Sequence, residues 1–121
     1  MDFIFWNIVN KKYFKNKNMK NFIIYKHTSP VGKVYIGQTS CNNPIRRWRN
    51  GGKGYFSIDK FGNYHQKLIA EAINKYPWKD WKHEIIDTCN TLEEANKLET
   101  YYIKLYKSNN PEFGYNMTSG G

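Results

Sequence analysis

Two tyrosines near the start of the chain are placed so that their phenol groups could act on one substrate. Tyr25 lies in a β-prone run over residues 22–27, and Tyr35 lies in a second such run over residues 33–38. The segment between them, residues 28–32, contains a proline and a glycine and predicts the turn of a β-hairpin. Because side chains alternate between the faces of a strand, both tyrosines can lie on one face of the hairpin. Two neighbouring phenols on a basic protein suggest a site for an acidic substrate.

A carboxylate in the last predicted helix is the second candidate for chemistry. Glu99 lies on or beside the apolar stripe of that helix, between Ala95 and Tyr102. A carboxylate in such a place loses solvation unless another group compensates its charge. A divalent cation would do so, because hard cations prefer oxygen ligands. The alternative is a glutamate at the edge of the stripe, which reaches solvent or pairs with a lysine such as Lys33.

The periodicity of apolar residues predicts the elements that would position these groups. After the hairpin, Asn43 followed by proline predicts a short helix over residues 44–49. A second helix is predicted over residues 64–76 and a buried strand over residues 82–87, which we expect to join the hairpin. The order is β-β-α-α-β-α and predicts an α+β fold, in which helices flank a small three-stranded antiparallel sheet.

The last helix has the clearest start signal in the chain. Thr91 followed by Glu94 forms a capping box, and the helix it begins is predicted to reach about residue 107. The residues predicted to face inward are Leu92, Ala95, Leu98, Tyr102 and Leu105. Inward-facing Ile45 and Trp48 are likewise predicted for the first, short helix.

Composition limits the class of protein. The chain has 121 residues, enough for one domain, and a formal net charge of +9 from 19 Lys and Arg against 10 Asp and Glu. Aromatic residues make up 17% of the chain, and cations with flat rings suit nucleic acid, because they neutralise phosphates and stack on bases. A soluble protein encoded by an AT-rich genome would have a similar composition. Charge alone does not choose between these interpretations.

The cysteines and histidines do not form a metal-binding pattern. Cys41 and Cys89 have no CxxC spacing, and reduced thiols are expected, as in a protein of the cytoplasm or nucleus. His27, His65 and His83 show no metal-ligand spacing with either cysteine, so no structural zinc is expected.

The first 20 residues differ in composition from the remainder. The apolar run over residues 3–9 is too short to span a membrane, and no membrane partner is expected. Five lysines follow in residues 10–20, which we interpret as a basic arm. The predicted organisation is therefore a basic N-terminal extension over residues 1–20 and one domain over residues 21–121. Our hypothesis for the arm is a non-specific tether to DNA.

Several blocks of the domain resemble the GIY-YIG nuclease family. The tripeptide over residues 35–37 matches the second half of the family signature, whereas Ile23 stands where the first half usually has glycine. The other matching blocks are residues 46–48, 99–103 and 114–116. The resemblance extends over residues 22–121 and is greatest to homing-endonuclease-like members and to orphan members encoded by phages or viruses.

This resemblance implies a role for each of four residues. Glu99 would be the sole protein ligand of a catalytic Mg²⁺ or Mn²⁺. Arg47 would pair with the phosphate through its planar guanidinium. Tyr25 would take the proton from the attacking water, or orient that water, and Tyr35 would position the water or the phosphate. Because a phenol with a pKa of about 10 is a poor base at neutral pH, the site must lower that pKa or pass the proton onward.

The family often places a proton acceptor at the start of the second helix, and two residues here could fill that place. Alignment by the end of the helix favours Tyr64, whereas chemistry favours His65, whose ordinary pKa is near neutral. We predict His65 as the catalytic residue and Tyr64 as a neighbour that contacts nucleic acid. His27 shares a strand face with Tyr25, but a surface histidine is the interpretation that we favour.

Three further residues complete the predicted site. Asn116 would form hydrogen bonds near the site and anchor the C-terminal segment against it. Lys33 and Arg46 would contact nucleic-acid phosphates. The alternatives are a purely structural turn asparagine and, for the arginines of residues 46–47, a solvated helix face.

The sequence therefore predicts a metal-dependent endonuclease that hydrolyses DNA phosphodiester bonds, intracellular and with a monomer favoured. One alternative is a basic nucleic-acid-binding module that has lost catalysis, which the departure at Ile23 mildly favours. The retention of Tyr25, Tyr35, Arg47 and Glu99 argues against it, because simple binding does not require a lone carboxylate in a cationic cleft. A structure-specific DNA repair nuclease is the other alternative.

Overall fold

The computed structural model describes residues 21–40, 43–48 and 50–120. Strands β1 (Phe22–Thr28), β2 (Val34–Thr39) and β3 (Lys82–Cys89) form an antiparallel sheet in the order β2-β1-β3. The helices are α1 (Pro44–Trp48), α2 (Lys67–Lys75) and α3 (Leu92–Tyr106), with short 3₁₀ segments at Asn50–Tyr55 and Trp78–Asp80. This architecture confirms the predicted α+β fold with its three-stranded sheet.

Some sequence predictions concern residues outside the described ranges. The basic extension over residues 1–20 lies outside the described residues, as do Cys41 and Arg49, and so does the side chain of Ile45. Within the described part, none of the helices has the length and apolar character needed to cross a bilayer.

The two faces of the sheet carry different residues because strand side chains alternate. Ile24 and Ile36 point to one face and pack against Ala95 and Ile103 of α3. Tyr25, His27 and Tyr35 point to the other, which we call the aromatic face. On that face, the sheet packs against the side chains of Trp48, Tyr55, Ile69, Ala72, Ile73 and Trp81. The central strand β1 is thus covered on both sides, and its polar side chains on the aromatic face are buried.

Helix α2 begins later than the sequence suggests. The predicted start at Tyr64 is wrong, because residues before Lys67 pair with the preceding loop instead of forming a helical turn. Tyr64 forms an isolated antiparallel bridge with Ile58, and the amide of His65 donates to the carbonyl of Ser57 at 3.0 Å. This pairing fixes the segment just before α2 against the loop that follows the 3₁₀ segment.

Helix α3 begins as predicted, and part of its predicted inward stripe packs against the sheet. The Thr91 hydroxyl accepts a hydrogen bond from the Glu94 amide at 3.1 Å, as its predicted cap requires. The predicted inward positions of Leu92 and Leu105 are wrong, because these side chains are 57% and 55% exposed. Ala95 is buried as predicted, Leu98 and Tyr102 pack against the same core, and Ile103 is buried as well. Glu99 lies four residues from both Ala95 and Ile103, on the same side of the helix.

Candidate active site

Tyr25 packs across the neighbouring strand onto Gly37. In the β1–β2 register, Tyr25 lies opposite Gly37 and His27 lies opposite Tyr35, so the two tyrosines are diagonal neighbours. The Tyr25 side chain is 1% exposed. A Cβ atom on Gly37 would lie 2.5 Å from the Cε2, Cζ and hydroxyl oxygen of Tyr25. The glycine of the second tripeptide is therefore what makes room for the tyrosine of the first.

Tyr35 is held by a residue that the sequence did not point to. Its hydroxyl donates a hydrogen bond of 2.6 Å to Oε1 of Gln66, the residue just before α2. Its ring also contacts that of Tyr55 edge-on, with 5.3 Å between centroids. These contacts fix the direction of the phenol, and burial raises its pKa well above the ordinary range.

Charges of opposite sign act on both phenols. Burial raises the pKa of Tyr25, whereas a hydrogen bond from Tyr55 and the nearby Arg47 guanidinium oppose that increase. Arg47 also opposes the increase in the pKa of Tyr35, while Glu99 adds to the increase for both tyrosines. The fold thus places Arg47 and Glu99 within electrostatic range of both Tyr25 and Tyr35. These are the four residues to which the family resemblance assigns the principal roles.

A cationic cavity is lined in part by Arg47, one of these four residues. It has a volume of about 440 Å³ and is lined by Arg46, Arg47, Lys53, Gly54, Phe56 and Ser57. Arg47 is half-buried, with its Cζ 5.5 Å from the centroid of the Tyr55 ring, whereas Arg46 is exposed. The described part of this lining has three cations and no carboxylate, which suits a phosphate-containing ligand.

Comparison with protein families identifies the domain. Residues 21–116 match the family model of the GIY-YIG catalytic domain. The chain belongs to the GIY-YIG nuclease family. No curated protein and no solved structure matches it. The matched range contains both hairpin tripeptides, Arg47, Glu99 and the closing Asn116.

Both candidates for the fifth position of this GIY-YIG site lie beside the cationic cavity. His65 is exposed and its Nδ1 lies 3.3 Å from the hydroxyl of Ser57, which lines the cavity. Tyr64 packs beside Phe56, another lining residue, with 5.9 Å between ring centroids. The Tyr64 hydroxyl accepts a hydrogen bond of 3.3 Å from Asn74.

Asn116 joins the C-terminal segment to strand β2. Its Oδ1 accepts from the Ile36 amide at 2.9 Å, and its Nδ2 donates to the Ile36 carbonyl at 2.8 Å. This pair of bonds holds the middle of the second tripeptide, between Tyr35 and Gly37. Asn116 therefore contacts the backbone of β2 between Tyr35 and Gly37, and its predicted place in the site stays a prediction.

Lys33 lies at the start of the second tripeptide run but is engaged elsewhere. Its ammonium donates a hydrogen bond of 2.9 Å to the carbonyl of Pro111. It lines a separate groove with Tyr76 and Tyr115, whereas Arg47 lines the cationic cavity.

Two buried residues join the site without having been assigned to it. His27 is 0% exposed, so the interpretation of a surface histidine is wrong. Its Nε2 lies 2.9 Å from the hydroxyl of Tyr55, and its Nδ1 lies 2.9 Å from Nδ1 of His83. The Tyr55 hydroxyl in turn lies 3.3 Å from that of Tyr25. Alternation along β1 was the signal for His27, whereas Tyr55 follows a glycine-rich stretch without periodicity.

The donor set fits a metal that keeps most of its water ligands. Among the described residues, no group of three or more His, Cys, Asp or Glu side chains is arranged to hold an ion. Glu99 provides a carboxylate near the phenols of Tyr25 and Tyr35. Mg²⁺ commonly binds through one or two carboxylates and substrate phosphates while retaining several waters. Glu99 is the residue that would hold such an ion.

Proposed function

We propose that this GIY-YIG domain is a metal-dependent endonuclease that hydrolyses DNA phosphodiester bonds, in the manner of a homing-endonuclease catalytic domain. The observation that carries the proposal is that Glu99 and Arg47, the latter lining a cationic cavity, both act electrostatically on the phenols of Tyr25 and Tyr35. Phosphodiester hydrolysis needs an oriented water, a proton acceptor, and charge stabilisation at the phosphate and the leaving oxygen. The four groups can meet these needs.

Each residue has a defined task in the proposed reaction. Arg47 lines the cavity and pairs with a phosphate oxygen, where its planar fork matches the geometry of the anion. Tyr35, fixed by Gln66, orients the attacking water or the phosphate. Tyr25 accepts the proton of that water. A divalent ion held by Glu99 would stabilise negative charge on the phosphate and on the leaving oxygen.

A second candidate is a basic nucleic-acid-binding module without catalysis. The observation that favours it is the burial of Tyr25, which is 1% exposed and has a raised pKa, both unsuitable for a simple general base. The cationic cavity would serve binding equally well. The two candidates differ in one respect: only the nuclease cleaves DNA when a metal ion is present.

Cleavage of supercoiled plasmid tests the proposed function directly. With Mg²⁺ or Mn²⁺ in excess, we expect the protein to convert supercoiled DNA to nicked or linear forms, and excess EDTA to stop the conversion. Binding measured in parallel by fluorescence anisotropy should weaken as salt rises. Tight, salt-sensitive binding without cleavage in either metal would contradict the nuclease proposal and support the binding module.

Neighbouring arginines allow a matched test of phosphate positioning. We expect Arg47→Ala to slow cleavage about 100-fold, because a half-buried guanidinium near both phenols is lost from the reacting centre. Arg46→Ala removes the same charge from the same cavity, but from an exposed position. It should weaken DNA affinity at low salt and change the single-turnover rate by less than about threefold. Equal rates for the two variants would contradict the role given to Arg47.

A further inference from the structure

A continuous chain of hydrogen bonds connects Tyr25 to a half-buried histidine on strand β3. The Tyr25 and Tyr55 hydroxyls lie 3.3 Å apart, and the Tyr55 hydroxyl lies 2.9 Å from Nε2 of His27. Nδ1 of His27 lies 2.9 Å from Nδ1 of His83, whose Nε2 lies 3.3 Å from the carbonyl oxygen of Trp78. Each interior member of the chain has one partner on either side.

We propose that Tyr55, His27 and His83 form a proton relay, which carries the proton received at Tyr25 to the protein surface. This proposal rests on the proposed nuclease function. The relay would explain how Tyr25 can accept a proton although its phenol is protonated near neutral pH. A phenol must either be deprotonated or pass a proton onward in order to act as a base near neutral pH. Burial raises the pKa of Tyr25, so deprotonation is disfavoured and transfer onward is the remaining route.

The fixed acceptor at the far end determines the direction of the hydrogen bonds. The Trp78 carbonyl can only accept, so Nε2 of a neutral His83 carries the hydrogen and its Nδ1 accepts from His27. Nε2 of a neutral His27 then accepts from the Tyr55 hydroxyl. In the structure the Tyr55 hydroxyl donates to Tyr25. Because a hydroxyl both donates and accepts, rotation of the two O–H bonds lets Tyr55 donate to His27 and accept from Tyr25. In this arrangement every proton points from Tyr25 towards His83.

The proton transfer balances along this chain. As hydroxide forms from the attacking water, its proton bonds to the Tyr25 oxygen, and the Tyr25 proton moves to Tyr55. The Tyr55 proton moves to Nε2 of His27, and the Nδ1 proton of His27 moves to Nδ1 of His83. His83 becomes an imidazolium and releases its Nε2 proton to solvent. Tyr55 is left donating to Tyr25, and every group is neutral again.

The histidines are held in the neutral form that the relay needs. Burial lowers the pKa of His27 well below its ordinary range, and burial lowers that of His83 to about 4. Both imidazoles are therefore neutral acceptors at pH 7, when phenolate is scarce. Among the described residues, the titratable and charged groups that face or act on His27 are Tyr25, Tyr35, Tyr55, His83 and Arg47.

Packing fixes the geometry of the chain. His27 and His83 are directly opposite each other in the β1–β3 register. The His27 ring meets Trp48 and Trp78 at centroid distances of 4.5 and 4.7 Å. Because the ring is enclosed in this way, its two nitrogens stay directed at Tyr55 and His83. His83 is half-buried, which gives the outer end of the relay access to solvent.

Removing one oxygen atom from the middle of the chain tests the relay. Tyr55→Phe should leave the domain folded and its DNA binding close to that of the wild type, and slow cleavage about 100-fold at pH 7. Between pH 6 and 8 the wild-type rate should be nearly constant, because His83 stays neutral. The Tyr55→Phe rate should instead rise about tenfold per pH unit, because the reaction then depends on phenolate or hydroxide. Tyr115→Phe is the matched control, since it also removes a buried hydroxyl, one that donates to Ser29 at 2.8 Å.

A second variant tests the outer end of the same chain. His83→Ala should slow cleavage, and added imidazole should restore at least about tenfold of the lost rate, because a free base can enter at a half-buried position. Imidazole should not speed up the wild type or Tyr55→Phe, in which the break lies further inward.

The outcomes separate the relay from the nuclease activity. If the wild type cleaves DNA and Tyr55→Phe matches Tyr115→Phe at every pH, the relay is wrong and the nuclease proposal stands. A loss in Tyr55→Phe that is the same at all pH values, without imidazole rescue of His83→Ala, would show a structural role and also overturn the relay. Absence of metal-dependent cleavage by the wild type would overturn both proposals.

Discussion

Glu99→Gln is expected to reduce metal-dependent DNA cleavage by at least about 10³-fold while leaving the domain folded. A metal ion that acts on a phosphoryl group supplies several kcal/mol of transition-state stabilisation, and about 4 kcal/mol corresponds to a factor of 10³ in rate. Glutamine has the shape of glutamate but lacks the charge that attracts a divalent ion. The loss should appear in single-turnover cleavage of plasmid at saturating Mg²⁺ or Mn²⁺.

The same substitution also tests how the charge of Glu99 affects DNA binding. Its carboxylate raises the pKa of Tyr25 and Tyr35, so it lies within electrostatic range of the two phenols proposed to act on the water and the phosphate. Removing a negative charge there should leave DNA affinity in EDTA unchanged or slightly increased. Lost cleavage with retained affinity would separate a catalytic role from a structural one.

Glu93→Gln is the matched control on the same helix. It changes the net charge of the protein by the same amount, but its side chain is 80% exposed and pairs with Lys97 at 3.4 Å. Surface ion pairs of this kind contribute little, about 0.3–0.5 kcal/mol. Glu93→Gln should therefore cleave as the wild type does. Cleavage by Glu99→Gln within a few-fold of this control would refute Glu99 as the metal ligand.

Local patterns in the sequence were sufficient to predict the sheet and the pairing of the two tyrosines on it. A strand period of two places Tyr25, His27 and Tyr35 on one face once the hairpin forms. The same alternation predicts that Gly37 shares this face with Tyr35. The sequence did not predict how deeply the side chains of this face are buried. Whether His27 is exposed or buried depends on the side chains of Trp48, Tyr55 and Trp78, which come from elements distant in the chain.

Part of the predicted inward face of α3 is exposed. Ala95, Leu98 and Tyr102 pack in the core as predicted, and Ile103 joins them. Leu92 and Leu105 lie in the first and last turns of the helix and are exposed. Helical periodicity gives the direction of a side chain, but not how far along the helix its packing partners extend. Ala95 and Ile103 pack against Ile24 and Ile36, and Glu99 lies between them in sequence on the same side of the helix.

The contacts of Tyr55 and Gln66 could not be predicted from sequence patterns, for a different reason. Tyr55 ends a 3₁₀ segment in which Gly51 and Gly52 have positive φ angles of 73° and 76°. Such a segment has no regular period from which the direction of a side chain can be inferred. Gln66 precedes α2, and its amide meets Tyr35 only after the hairpin and helix have packed together. Both contacts are products of tertiary structure.

Gly37→Ala is expected to be the most disruptive single substitution on the sheet. The added methyl carbon would lie 2.5 Å from three atoms of Tyr25, far inside van der Waals contact. The Tyr25 ring cannot easily retreat, because Trp48 lies 5.1 Å and His27 lies 4.9 Å from it between centroids. Overpacking a closed core costs about 1–3 kcal/mol and occasionally more. We expect about 3 kcal/mol in urea unfolding and little remaining cleavage activity.

Gly62→Ala distinguishes this clash from a general cost of replacing glycine. Gly62 has a φ angle of 83°, and a Cβ there would meet nothing within 4 Å. Alanine at that position bears only the backbone strain of the left-handed region, about 1–2 kcal/mol. Its unfolding free energy should fall by less than that of Gly37→Ala, and its cleavage rate should stay close to that of the wild type.

The clash can be assigned to one pair of residues by a double-mutant cycle. If the Tyr25 ring is what opposes a methyl group on Gly37, Tyr25→Leu removes most of the obstruction. The unfolding free energy of the double variant should then fall by at least about 1 kcal/mol less than the sum of the two single losses. Such a coupling is expected only for residues in contact. Additive losses would show that alanine disturbs β2 by another route. In that case, the link between the glycine of one tripeptide and the tyrosine of the other would be wrong.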